Sequence, residues 1–323
     1  MKRIAVLTNG GDAPGMNPAI RAVVRTAIAH GVEIFGIQRG YQGLIEDAIE
    51  AFSARSVSGI IHHGGTILRT ARSQEFRTEA GLVKAAQRLR QRGIEGLIVI
   101  GGDGSYRGAY SLWEKQGIPC VGIPGTIDND IGGTEYTIGF DTALNTAMEG
   151  IDRLRDTAAS HDRIFFVEVM GRHSGFIAMY SGLAGGAEAI LAPESATDIP
   201  ALCEDLREMS RRGKTSMIVV VAEGDDAGNV FTVAEKVAAI SEFKDVRVSV
   251  LGHLQRGGAP TAFDRVLALR MGAAAVEALL DGSQADMIVM EKNRIGKRPI
   301  QDSWTIKNCF DPDLFRVSRL LNV

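Results

Sequence analysis

Short apolar runs without polar alternation recur along the chain, at Ile4–Leu7, Glu33–Ile37, Leu97–Ile100, Val121–Ile123, Ile164–Met170, Met217–Ala222, Val246–Leu251 and Met287–Met290. A strand with one wet face alternates apolar and polar residues, so these unbroken runs predict strands covered on both faces. Between them the spacing becomes that of helices. Asn17 to His30 reads as a helix capped by Asn17, with Pro18 at its first position and Gly31 as its stop. Thr78 to Arg92 closes at Gly93, and Ser105 to Gln116 closes at Gly117. Strands and helices in alternation predict a doubly wound, mostly parallel α/β sheet. A chain of 323 residues has room for about two such domains. There is no long Pro- or Ser-rich linker and no fixed-period repeat, so the seam between domains is not set by pattern alone.

Ligands of such sheets bind beyond the carboxyl ends of the strands, which directs attention to the segment after each run. After the first comes Thr8-Asn9-Gly10-Gly11-Asp12-Ala13-Pro14-Gly15, where glycines leave backbone amides open before a helix start, an anion-binding arrangement. After Leu97–Ile100 comes Gly101-Gly102-Asp103-Gly104-Ser105, with Gly108 in the following helix. Its glycines admit a polyphosphate, and Asp103 offers oxygen to a Mg²⁺ shared with that phosphate. The next loop, Pro124-Gly125-Thr126-Ile127-Asp128-Asn129-Asp130, sets two carboxylates beside a hydroxyl, where one can take a proton from a substrate alcohol. Arg163, Met170-Gly171-Arg172-His173, Glu223, Arg247 and Gly252-His253-Leu254-Gln255-Arg256 flank the later runs. Guanidinium forks fit phosphate oxygens and a glutamate accepts sugar hydroxyls, so this set points to a sugar phosphate.

Composition narrows the picture. Glycine supplies 38 of 323 residues, about 12% against a usual share of about 7%, which agrees with many close backbone turns. Lys+Arg 36 against Asp+Glu 39 leaves a net charge of −3, so no global field draws the chain to nucleic acid or an anionic membrane. Cys120, Cys203 and Cys309 lack C-x-x-C spacing and are odd in number, against both a disulfide framework and a zinc site. With no apolar run long enough for a bilayer or a signal peptide, a cytoplasmic protein is expected. Other motifs fail on spacing. Gly102, Gly104 and Gly108 leave three residues where G-x-G-x-x-G needs two, and Glu208 stands where a Walker A loop ending in Gly213-Lys214-Thr215 needs glycine. His62-His63 has no third ligand nearby in sequence.

From Ile4–Leu7 to beyond Gly258 the chain resembles the bacterial-type ATP-dependent 6-phosphofructokinases. The likeness is most specific at Gly101–Ser105, Pro124–Asp130 and Met170–Arg172, which keep the family's order and spacing. It implies two Rossmann-like three-layer α/β/α domains with mostly parallel sheets and the active site between them. Residues 1–139 with about 255–303 would bind ATP, and 140–254 with about 304–323 would bind fructose 6-phosphate. The implied reaction moves the ATP γ-phosphoryl group to the C1 hydroxyl, with Asp128 as base, Thr126 and Asp130 beside it, and Arg72 and Arg172 as catalytic cations. Gly11, Tyr41, Arg72, Arg77, Gly102, Asp103, Gly104, Ser105 and Gly108 match nucleotide positions, with Mg²⁺ at Asp103. Arg163, Met170, Gly171, Arg172, Glu223, Arg247, His253 and Arg256 match sugar-phosphate positions; Arg163 and Arg247 would come from a neighbouring subunit of a homotetramer. Arg21, Arg25, Arg155, Glu188, Arg212, Gly213 and Lys214 match an allosteric site for ADP or GDP and phosphoenolpyruvate, with Ala54 replacing a basic contact. Ser73 stands where relatives carry an aromatic residue, leaving adenine stacking to Tyr41. Gly104 and Gly125 would leave room for a nucleoside that pyrophosphate-dependent relatives exclude. The intact Asp103, Asp128 and Arg172 argue against a catalytically silent sensor.

Overall fold

The computed structural model describes residues 1–160, 163–240, 243 and 245–321. Their strands are β1 (Arg3–Asn9), β2 (Glu33–Ile37), β3 (Ile49–Phe52), β4 (Gly96–Gly101), β5 (Cys120–Pro124), β6 (Ile164–Val169), β7 (Ala189–Leu191), β8 (Met217–Ala222), β9 (Val246–Val250), β10 (Ala285–Glu291) and β11 (Arg294–Pro299). The chain divides into one unit of Met1–Thr142 with Arg256–Asn308, and another of Ala143–Gln255 with Cys309–Val323.

In the first unit seven strands follow the order β11-β10-β5-β4-β1-β2-β3, parallel except for β3 and β11 at the edges. Every residue of β4 and β5 is buried, which is why their sequences run apolar without alternation. One face, carrying Ala5, Leu7, Leu97, Val99 and Met287, packs on the helices Glu79–Gln91 and Asp103–Gln116. The other receives the helices Met16–Ala29 and Ala262–Leu280. These two meet where Gly272 has no side chain, because a Cβ there would lie 2.6 Å from that of Ala22. In the second unit the order is β7-β8-β6-β9, all parallel. Ile164, Phe166, Val219 and Val221 face the helices Ile199–Arg211 and Val230–Ile240. The helix Phe176–Ala184 covers the other side, with Gly182 against Ile190 and Val220. Each sheet is thus the middle of three layers, the architecture that alternating strands and helices predict.

The segment expected as a helix from Thr78 to Arg92 forms one over Glu79–Gln91, with Thr78 as its cap, the hydroxyl accepting from Gly81 N at 3.1 Å. Asn17 does not cap. The helix Met16–Ala29 starts from Gly15 at φ 110°, while the Asn17 amide donates to the carbonyls of His63 and Gly64, each at 3.1 Å, and accepts from Ile67 N at 2.8 Å. A buried side-chain amide satisfies three backbone groups of a crossing segment, which outweighs the single bond of a cap.

Candidate functional site

In the first unit the post-strand loops of β1 and β4 are tied directly. Ser105 Oγ donates to Asn9 O at 3.0 Å and accepts from Asn9 Nδ2 at 3.0 Å. Gly102 caps the helix Asp103–Gln116, and just before it Gly101 O accepts from Gly125 N at 3.1 Å, so the β4 and β5 loops are tied at their roots. The Asp103 carboxylate is about one-third exposed at the first residue of that helix, with the Arg107 guanidinium at 3.0 and 3.1 Å. Arg107 also lies 4.7 Å over the Trp304 ring. One accessible carboxylate suits Mg²⁺, which takes few protein oxygens and completes its shell with phosphate and water. Among the described residues no three His, Cys, Asp or Glu side chains gather as a closed metal cage.

Tyr41 corrects an expectation. Its ring is 4% exposed, stacks on Phe76 at 3.9 Å and 7°, and has Gly108 against it, where a Cβ would come within 2.7 Å. Its hydroxyl donates to Ser105 O at 2.5 Å, and burial pushes its ionisation well up. It is therefore a core support under the β4 loop, with no ring face for a base to stack on. Ser73 has its own task, accepting from Phe76 N at 3.1 Å and so holding the turn Glu75–Arg77. Arg72, before that turn, and Arg77, which ends it, are exposed. Gly104 opens onto free space. Gly125 does not: a Cβ there would meet Ile100 at 3.0 Å and Met16 at 3.2 Å, so packing explains that glycine. Gly11 lies under the Arg256 guanidinium, whose Nη1 donates to Asp12 O at 3.1 Å, which brings Arg256 to the β1 loop.

The loop after β5 is the most constrained. Thr126 N donates to Ile138 O at 3.1 Å, Ile138 N to Pro124 O at 2.8 Å, and Thr137 Oγ1 to Thr126 O at 2.7 Å. Asn129 is left-handed at φ 51°, and its side chain bonds Thr137 N, Thr137 Oγ1 and Glu135 O. Thr126 and Asp128 are buried, Asp130 is half-buried, and Asp128 N donates to Thr126 Oγ1 at 3.2 Å. Asp264 was invisible from sequence. It has no exposed surface and bonds Gly139 and Thr142; burial pushes its carboxyl up to about 6, against the lowering effect of those hydrogen bonds. The spacing Thr261-x-x-Asp264 was the available signal, but it suggests only a reciprocal helix cap.

In the second unit, Glu223 Oε1 accepts from Gly171 N at 3.3 Å and Arg172 N at 2.6 Å. That carboxylate fixes a turn in which Gly171 has φ 146° and Arg172 φ 57°, leaving Arg172 exposed and Met170 buried. His253 is exposed in the turn Gly252–Arg256. Arg163 and Arg247 share Asp245, at 2.7 and 2.6 Å, and Arg163 foremost holds that carboxyl below its usual range. Of the expected effector residues, Arg155 and Lys214 meet on the buried Glu188, at 3.3 and 2.8 Å. Glu188 thus lies between the Arg155 and Lys214 charges. Arg212 pairs with Glu208 at 3.1 Å, Gly213 turns with φ 94°, and Arg21 and Arg25 lie four residues apart on Met16–Ala29 of the first unit.

A doubly wound α/β chain whose glycine-rich and carboxylate-bearing loops share adjacent strand ends is laid out to handle phosphorylated ligands. Residues 3–279 match the phosphofructokinase family model. The chain is 57% identical over 323 residues to ATP-dependent 6-phosphofructokinase 1 of Thermus thermophilus, covering 99% of both chains. Its fold matches the phosphofructokinase of Saccharomyces cerevisiae with a TM-score of 0.90 and 34% identity; 98% of this chain covers 50% of that one, so it spans half the yeast chain's length. A pyrophosphate-dependent phosphofructokinase from Marinobacter aquaeolei shares the fold at TM-score 0.85 and 23% identity, covering 100% of this chain and 92% of that one. The chain belongs to the phosphofructokinase family.

Proposed function

We propose that this chain is an ATP-dependent 6-phosphofructokinase, which transfers the γ-phosphoryl group of ATP to the C1 hydroxyl of fructose 6-phosphate to give fructose 1,6-bisphosphate and ADP. The observation that carries this reading is the backbone bond from Gly125 N to Gly101 O at 3.1 Å, which ties the root of the Gly102–Ser105 loop to that of the braced Thr126–Asp128 loop at the ends of the neighbouring strands β4 and β5. One loop suits the polyphosphate and the other presents a carboxylate to the attacking hydroxyl. Phosphoryl transfer needs mainly positioning and charge neutralisation. Asp128 accepts the hydroxyl proton as the oxygen attacks phosphorus. Arg72 and Arg172 balance charge on the moving group, and Asp103 holds Mg²⁺, which when bound neutralises the phosphate oxygens.

Gly171, Arg172, Glu223, His253, Arg256, Arg163 and Arg247 take the sugar phosphate, the last two across a subunit boundary of a homotetramer. ADP and phosphoenolpyruvate act at the Glu188–Lys214 cluster, and a cytoplasmic location keeps the three thiols reduced. The alternative donor is pyrophosphate; the open space beside Gly104 favours a nucleotide. Initial rates with ATP and with pyrophosphate separate the two. Asp128→Asn should lower kcat by about 10² to 10⁴ at saturating Mg²⁺ while leaving the fructose 6-phosphate KM within a few-fold. A variant keeping half the parent rate would remove Asp128 from the reaction.

A further inference from the structure

Asp264 has no part in the chemistry above, yet a fully buried carboxylate is costly unless it does something for its surroundings. Its Oδ1 accepts from Gly139 N at 2.8 Å, and its Oδ2 accepts from Thr142 N at 2.8 Å and Thr142 Oγ1 at 2.5 Å. All three donors belong to a segment more than 120 residues earlier. Asp264 lies in the first turn of the helix Ala262–Leu280, but the Thr261 hydroxyl caps that turn by accepting from Asp264 N at 3.3 Å. The carboxylate is therefore not needed as a cap. Its bond to Gly139 fixes the residue next to Ile138, and Ile138 with Thr137 makes the bonds that hold Pro124 and Thr126. Gly15 packs against the same place, since a Cβ on it would run into Ile138 and approach Asp264 Cβ at 3.6 Å.

We propose that Asp264 is a positioning residue for phosphoryl transfer: by holding Gly139 and Thr142 it clamps the Thr137–Ile138 limb on Thr126 and so sets where Asp128 meets the substrate. The inference rests on Asp128 being the base. Asparagine at this position keeps the size but places an NH₂ group against N–H and O–H donors, so part of the clamp is lost. A small misplacement of a catalytic group costs up to about 100-fold in rate.

The test is a double-mutant cycle on kcat. Asp264→Asn should lower kcat by about 10- to 100-fold with the KM for ATP changed less than about 3-fold. In the Asp128→Asn background the same substitution should change the residual rate less than about 2-fold, because a misplaced base no longer matters once the base is gone. Equal losses in both backgrounds, or a change confined to KM, would overturn the positioning role. Full activity in Asp128→Asn alone would overturn the base instead. Should Asp264→Asn not fold, Thr142→Val removes the hydroxyl's bond to Asp264 together with the one it accepts from Thr261 N at 3.0 Å, keeps the two amide bonds to the carboxylate, and should show the same pattern with a loss of about 3-fold; no loss, or one that persists in the Asp128→Asn background, would overturn the proposal.

Discussion

Asn129 allows the bracing of the β5 loop to be measured. Its backbone is left-handed at φ 51°, a conformation that asparagine tolerates and alanine does not. Its side chain makes bonds to Thr137 N at 2.8 Å, Thr137 Oγ1 at 3.2 Å and Glu135 O at 3.1 Å, and the residue is 2% exposed. The single Thr137 hydroxyl proton goes to Thr126 O, so the Asn129 amide makes two full bonds; their loss leaves Thr137 N and Glu135 O without this partner at about 1.5 kcal/mol each, and Asn129→Gly, which keeps the backbone, should cost about 3 kcal/mol. Asn129→Ala loses the bonds and adds about 1 kcal/mol of backbone strain, or about 4 kcal/mol in all. At about 2 to 4 °C per kcal/mol for a unit of this size, the melting temperature should fall by about 6 to 12 °C for glycine and about 8 to 16 °C for alanine. Scanning calorimetry on both variants gives the stability, and initial rates on the folded protein show whether kcat falls with it. A drop below about 2 °C in both variants would refute the bracing argument, and glycine ranking below alanine would refute the backbone part of it.

Two other outcomes follow from buried carboxylates. Burial raises the Asp264 carboxyl from 3.8 to about 6, so the folded state holds its proton more tightly than the unfolded chain. This group's contribution to stability is complete below about pH 3.8 and is lost as pH rises through 6, about 3 kcal/mol in total and roughly half of it between pH 5 and 7.5. The stability of the parent minus that of Asp264→Asn should therefore shrink over that range, and a gap that stays constant or widens would contradict the shift. Glu188→Gln keeps an acceptor for the Ile218 amide and releases Arg155 and Lys214. Calorimetric titration should show phosphoenolpyruvate binding tighter by about 2- to 5-fold; an unchanged Kd would place the anion elsewhere.

The central strands were readable because burial on both faces removes polar residues, and β1, β4, β5, β6 and β8 carry that mark. The edges were not. β3 and β7 are only four and three residues long, and β11 carries Arg294, Lys297 and Arg298 on a strand half open to water. The loops were readable as glycine and aspartate clusters, but the partners of each residue were not. Asn17 has cap chemistry and spends it on a segment some 50 residues away. Tyr41 was assigned to the nucleotide by likeness, and only its packing on Phe76 shows that the ring is enclosed. Glu188 and Asp264 answer charges and donors that neighbour them in space alone, which no local pattern reports.

The left-handed residues outside glycine distinguish turns from sites. Lys292 and Asn293, at φ 49° and 60°, form the two-residue link between β10 and β11, where the twist of an antiparallel pair demands that conformation. Asn129 and Arg172 sit in no hairpin, and each follows the carboxyl end of a strand inside a parallel sheet. A left-handed non-glycine residue costs about 1 to 2 kcal/mol, and glycine would remove the cost. At residue 129 the side chain offsets it through its bonds to Thr137 N and Glu135 O. At residue 172 the arginine side chain offers no such return within the loop; the stabilisation comes from Glu223, which holds the Arg172 amide. Strain carried by one residue and relieved by another makes sense where the side chain's position matters more than the turn itself. Gly171, Arg172 and Glu223 therefore act as one device that holds a guanidinium at the carboxyl end of β6.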